Sequence, residues 1–228
     1  MTDNKELIDH IWSFVTDNKK EIFNEVIEQR MRHISVVLED VYQPQNASAV
    51  LRSCDCFGIQ DLHVIESRNT YTVNPRIVMG ASKWVDVHPH PTTTTCIDDL
   101  KKQGYQIIAT TPHTEDVTIY DFKPEQKSAI FFGTEMQGLS DEVMQKADAF
   151  VKIPMYGFTE SFNISVAAAL CLNQITHNLR HSNIDWQLTE EEKDELKLRW
   201  GKSCIRNADI VEKEFLKNRE QNNVKKNI

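Results

Sequence analysis

Ile34-Ser35-Val36-Val37-Leu38-Glu39 leads through the polar stretch Asp40 to Gln45 into Asn46-Ala47-Ser48-Ala49-Val50-Leu51-Arg52-Ser53-Cys54-Asp55-Cys56-Phe57-Gly58. The first piece is a short apolar run; the second reads as a helix capped by Asn46 and stopped by a left-handed Gly58. The texture then repeats. Apolar runs at Leu62 to Glu66, Tyr105 to Ala109, Ala129 to Phe132 and Phe150 to Ile153 alternate with helical stretches. Strands alternating with helices predict βαβ units, hence an α/β fold whose mostly parallel sheet is flanked by helices. Among the helices, Ile97 to Gln103 ends at Gly104 and another opens at Ser140. Ser161 to Arg180 is apolar on nearly every side and reads as buried.

Outward from this core, both ends of the chain are helical. Residues 5 to 30 carry apolar side chains at helical spacing around a break at Thr16, Asp17 and Asn18, which predicts a helical hairpin. Thr189 followed by Glu192 is a capping box that opens a helix reaching about Cys204. The expected organisation is a helical extension over 1–32, an α/β domain over 33–182 and a helical, basic extension over 183–228.

Composition bounds the rest. At 228 residues folding buries on the order of 70% of the chain's surface, so neither disulfides nor a structural metal is required. Five Cys without a CxxC pair fit buried thiols in a reducing compartment. No apolar run approaches the roughly 20 residues of a membrane helix. The start MTDNKELIDH lacks the pattern of a secretory signal, so the expected location is the cytoplasm. A net charge of −8 argues against gripping nucleic acid with the whole surface. From Arg199 onward, however, basic residues outnumber acids eight to four, which predicts a local cationic patch.

In an open α/β sheet, ligands bind where strands end and helices begin. Three segments fall there. In the first, Asn46 and Arg52 lie six residues apart and so point to different sides of their helix; the bland alternative is a helix cap and a solvated arginine. In the second, Phe131 to Ser140, two glycines allow close backbone approach, but they do not make the GxGxxG of dinucleotide folds. Glu135 is its one charged residue, and a carboxylate binding nearby backbone N–H groups is the bland reading. In the third, Ile153 to Ser165, Ser161, Asn163 and Ser165 are either helix caps or groups lining a pocket. His88 and His90 in Val87-His88-Pro89-His90-Pro91 resemble a metal pair without a third ligand nearby, so no metal site is expected.

Taken in order, Asn46 with Arg52, then Phe132-Gly133-x-Glu135-x-x-Gly138-Leu139-Ser140, then Ile153-Pro154-Met155-x-Gly157 with Ser161-Phe162-Asn163-Ile164-Ser165-Val166-Ala167, resemble the three motifs of the SpoU (TrmH) branch of the SPOUT RNA 2′-O-methyltransferases. The match runs from about Ser35 to Arg180. The resemblance implies a deep trefoil knot in the C-terminal part of the domain, S-adenosylmethionine bound there, and a homodimer whose active site uses both subunits. Helical flanks favour the tRNA (guanosine-2′-O) enzyme acting at position 18 over rRNA relatives, which carry a β-containing N-terminal domain. The other readings are an rRNA 2′-O-methyltransferase and a non-catalytic RNA-binding protein on the same fold.

Carried over by position, Arg52 matches the family's catalytic arginine and Asn46 the asparagine that helps hold the site. Glu135, Ser161 and Asn163 match the remaining polar site residues. Thr110, Gly133, Ile153 and Phe162 match contacts to the methyl donor. Phe162 stands where leucine is usual, and Glu160 where glutamine is. A guanidinium is a poor base. Arg52 therefore either takes the ribose proton with help from the site or stabilises the developing alkoxide.

Overall fold

Helices α1 (Thr2–Trp12) and α2 (Asp17–Ile27) precede strand β1 (Ile34–Glu39), helix α3 (Pro44–Phe57), strand β2 (Asp61–Ile65) and the short helix α4 (Pro75–Val78). Next come β3 (Asp86–His90), α5 (Thr93–Lys102), β4 (Gln106–Thr110), β5 (Val117–Thr118) and β6 (Ser128–Phe132). The chain continues through α6 (Asp141–Lys146), β7 (Ala149–Lys152), α7 (Ile164–Arg180), α8 (Glu190–Ser203) and α9 (Ala208–Lys226). This computed structural model describes residues 2–112, 117–134 and 137–226. Two compact units are present, Met31–Gln187 and Met1–Arg30 with Leu188–Ile228.

In the larger unit the strands form one parallel sheet in the order β3-β2-β1-β6-β4-β7-β5. The central strands β1 and β6 are buried at every residue, as expected of strands covered on both faces. Alternation along β1 divides the core. Val36 and Leu38 pack with Val50, Leu51 and Cys54 of α3 and Cys171 and Leu172 of α7, whereas Val37 faces Ile97 and Leu100 of α5 and Val143 of α6. Two strands escaped the sequence reading. β3 is an edge strand whose Pro89 interrupts the apolar pattern, tolerable because an edge leaves one side unpaired. β5, at the other edge, has only two residues.

Three helix assignments need correction. Gln43, not Asn46, caps α3, because Pro44 supplies a first position that needs no N–H donor; Asn46 lies inside the first turn and is buried. Asn163, not Ser161, caps α7, its side chain accepting from Ser165 N–H at 2.9 Å. Nor is α7 covered all round: Val166 and Leu170 are 44% and 39% exposed, one helical turn apart on the same face.

In the smaller unit α1 packs on α8 and α9, and α2 on α8. Gly201 explains the close approach, since a Cβ there would stand 2.9 Å from Ile11 Cγ2 and 3.0 Å from Trp12 Cδ1. The capping box at Thr189 and Glu192 is formed. The expected cationic patch is partly neutralised, with Lys202 2.7 Å from Glu212 and Arg219 3.3 Å from Glu6. Cys204, expected in apolar surroundings, is only half-buried and lies 3.8 Å from Lys19 Nζ; Cys54, Cys96 and Cys171 are buried.

Candidate active site

β4, β6 and β7 are neighbours in the sheet and parallel, so their carboxyl ends deliver three turns to one place. A cavity of about 430 Å³ opens between these turns, within the size range of sites for small organic ligands, about 300–1,000 Å³. Thr110, Gly133, Ile153 and Phe162, far apart in sequence, all line it. The Thr110 hydroxyl is already committed, donating to the Phe131 carbonyl at 2.7 Å. Ser161 and Glu160 line the same cavity, as do Gln137, Leu139 and Met155, which the sequence had not assigned as contacts to the donor.

The turn after β6 is closed upon itself. Thr134 N–H donates to the Gly138 carbonyl at 3.0 Å and Gly138 N–H donates back at 2.9 Å. Gly138 holds φ +68°, in the left-handed region that favours glycine. A Cβ on Gly133 would fall 2.1 Å from the Gly138 carbonyl carbon, so the turn exists only because residue 133 has no side chain. Glu135 lies outside the described residues.

The turn after β7 reaches α3 through its last residue. Asn163 Nδ2 donates to Asn46 Oδ1 at 3.2 Å, while Asn46 Nδ2 donates to Gln43 Oε1 at 3.3 Å. Two asparagines 117 positions apart thus tie the start of α3 to the start of α7. Arg52 is exposed and does not line the cavity of its own chain. Six residues beyond Asn46, it lies about 9 Å further along the helix axis.

Apolar walls (Ile153, Phe162, Leu139) beside main-chain donors and acceptors suit an aromatic ligand with polar edges, and no cation-hungry cluster of carboxylates is present among the described lining residues. Cys171 also lines the cavity, but burial pushes its thiol up to about 12, so it stays protonated and is no nucleophile.

The His88/His90 segment does have further ligand-type neighbours, contrary to expectation: His63, His90 and Cys96 bring ring nitrogens and sulfur within 4.8 Å of one another. The two rings satisfy each other, His63 Nδ1 lying 2.9 Å from His90 Nε2. Burial holds His63 down to about 3 and lowers His90 as well, so both rings are neutral.

Fold and cavity together define an α/β protein that binds a small organic ligand at the carboxyl edge of a parallel sheet, between glycine-bearing turns. Residues 33–173 match the SpoU rRNA Methylase family, and the chain belongs to that family. It is 42% identical over 199 residues to a tRNA (guanosine(18)-2′-O)-methyltransferase of Borreliella burgdorferi, covering 87% of this chain and 91% of the relative. The enzyme of the same description from Thermus thermophilus is 32% identical over 157 residues, 69% of this chain and 81% of the relative. Among solved structures, the TrmH/SpoU tRNA modifying enzyme of A. aeolicus superposes with a TM-score of 0.76 at 27% identity, over 84% of this chain and 98% of that one.

Proposed function

We propose that this protein is an S-adenosylmethionine-dependent tRNA ribose 2′-O-methyltransferase acting on guanosine 18. The observation that carries the reading is the convergence of Thr110, Gly133, Ile153 and Phe162 on one cavity, with the Asn46–Asn163 contact beside it. The residues fit the donor. Ile153, Phe162 and Leu139 offer apolar faces to adenine, and the turn after β6 offers main-chain groups to its edge. When bound, S-adenosylmethionine supplies an electrophilic methyl group on a sulfonium whose thioether leaves neutral. Transfer then depends on alignment with the ribose oxygen and needs no acid and no metal.

Arg52 works on the acceptor side. It is exposed on α3, so its guanidinium is available to RNA. As a poor base it serves best by stabilising negative charge as it grows on the 2′-oxygen, after the proton passes to a neighbouring group or water. Asn46 and Asn163 lock the helix that carries Arg52 to the helix that follows the donor turn. Ser161, in the same turn, is the polar group placed to touch the acceptor.

Because Arg52 lies outside its own chain's cavity, we assign it to the cavity of a second copy. The uncovered apolar side chains of Val166 and Leu170 on one face of α7 support a homodimer built on that helix. The trefoil knot of the family and a cytoplasmic location complete the proposal. Methyl incorporation from labelled donor into purified tRNA, with purified rRNA alongside, tests it. Incorporation into tRNA alone is expected; rRNA alone would assign the chain to the ribosomal branch, and none would make it an RNA-binding protein on this fold.

A further inference from the structure

β1, a central and fully buried strand, ends at Glu39, and Asp40 follows it, so two acids stand at its carboxyl edge. A carboxylate in such a position is costly unless each oxygen is hydrogen-bonded. Glu39 is only 4% exposed, and its oxygens are fully used. Oε1 accepts from Thr93 Oγ1 at 2.6 Å and from Ser140 Oγ at 2.7 Å; Oε2 accepts from Ser140 N–H at 2.8 Å. Ser140 is the last residue of the turn after β6 and the cap of α6, its hydroxyl also accepting from Val143 N–H at 3.3 Å. Two of the three donors to Glu39 therefore come from the end of the turn whose Gly133, Thr134, Gln137, Gly138 and Leu139 line the cavity.

Asp40 holds the same turn from another side. It adopts φ +51°, which aims its carboxylate at the loop after β2, where Oδ1 accepts from Arg68 N–H at 2.7 Å and Asn69 N–H at 3.3 Å. Arg68 in turn donates from Nη1 to Gln137 Oε1 at 3.0 Å. Neither acid lines the cavity, yet between them they reach Gln137 of its wall and Ser140, the residue after its Leu139.

We propose that Glu39 is a positioning residue for the methyl donor: by fixing Ser140 it sets the place of the main-chain groups of Gly138 and Leu139, and of Gly133 and Thr134 paired with them, that meet the adenine end. The proposal rests on the cavity holding S-adenosylmethionine. Glu39→Gln is the informative change, because it keeps size and exchanges one acceptor for an NH₂ donor. With that NH₂ in the place of Oε2 it opposes Ser140 N–H donor to donor; in the place of Oε1 it loses acceptance from two hydroxyls. Thr93→Val removes a donor to the same carboxylate from α5, which is not part of the turn.

Titration calorimetry of S-adenosylmethionine with the full-length chain, alongside thermal unfolding, separates positioning from general support. Glu39→Gln and Ser140→Ala are expected to weaken donor binding about tenfold each. The double variant should be little worse than either, because both break one contact; the cycle also removes the contribution of the α6 cap. Thr93→Val should lower the melting temperature while changing donor affinity less than about twofold, within ordinary additivity error. Steady-state kinetics should show the loss in KM for the donor, with kcat at saturating donor largely kept. Equal weakening by Thr93→Val, wild-type affinity in Glu39→Gln, or full additivity in the double variant would overturn the proposal. If Glu39→Gln does not fold, Ser140→Ala against Thr93→Val makes the same comparison. A wild-type chain that binds no S-adenosylmethionine would overturn the reading of the cavity, and this proposal with it.

Discussion

The two long walls of the cavity are built in opposite ways. From Gly133 to Ser140 the backbone pairs with itself at Thr134 and Gly138 and is anchored on Glu39. From Ile153 to Phe162 no residue hydrogen-bonds to the described part of the chain, and Tyr156 and Phe158 are fully exposed. A wall already ordered costs a ligand nothing to arrange, whereas an open segment must be ordered when something covers it. On the proposed function the first wall is the pre-ordered side of the donor site, and the second, which ends at the Asn163–Asn46 contact, is the side that a bound molecule would have to order.

The largest expected effect lies outside both walls. Arg52→Lys keeps a positive charge but loses the planar fork, and should lower kcat on tRNA by about 100- to 1,000-fold, the scale of losing one charge-stabilising group. Donor affinity should hardly change, since neither wall is touched; a parallel loss of affinity would place Arg52 in the donor site. Gly133→Ala strikes the closed wall, where the new methyl meets main chain rather than a movable side chain. Donor affinity should fall by about 100-fold, roughly 2.7 kcal/mol, as measured by calorimetry.

Acid should destabilise the β2–β3 side of the sheet, where His63 meets His90. Burial keeps His63 neutral down to about 3, whereas an unfolded histidine takes up its proton near 6.5. Between those values the unfolded state binds the extra proton, so the contribution is complete above 6.5 and is lost as pH falls toward 3. The free energy of unfolding should fall as pH drops through that window, by on the order of 2 kcal/mol at about pH 5, and His63→Gln should flatten the slope. Asn163→Ala removes the α7 cap and the link to Asn46, costing about 1 kcal/mol in thermal unfolding and more in turnover than in donor binding. The smallest effect belongs to the open wall. Tyr156→Ser and Phe158→Ser should leave stability within about 0.5 kcal/mol in thermal unfolding, as exposed positions do.

What the sequence disclosed follows the same division. Buried strands such as Ile34 to Glu39 announce themselves because both faces are covered and every residue is apolar or paired. Short edge strands do not: β3 contains Pro89 and two histidines, and its strand character comes from pairing with β2. The donor turns could be placed at strand ends from glycine and helix-start patterns, and Thr110, Gly133, Ile153 and Phe162 through family motifs. The contacts that hold those turns were not legible, because Glu39 and Ser140 lie 101 positions apart and Asn46 and Asn163 lie 117 apart. Asn46 shows the cost of local reasoning. A capping-type residue ahead of an apolar helix reads as a cap, yet Pro44 begins the helix earlier and frees Asn46 for the long-range contact.

On the function proposed here, the turns at the ends of β4, β6 and β7 present a methyl donor to a ribose held by Arg52. Mass-spectrometric mapping of 2′-O-methylated nucleosides in total RNA, after incubation with purified protein and S-adenosylmethionine, tests this most directly. A single new modification at guanosine 18 of tRNA, absent with Arg52→Lys, is the result expected. Methylation confined to rRNA, on a base rather than a ribose, or undiminished in Arg52→Lys would contradict the account.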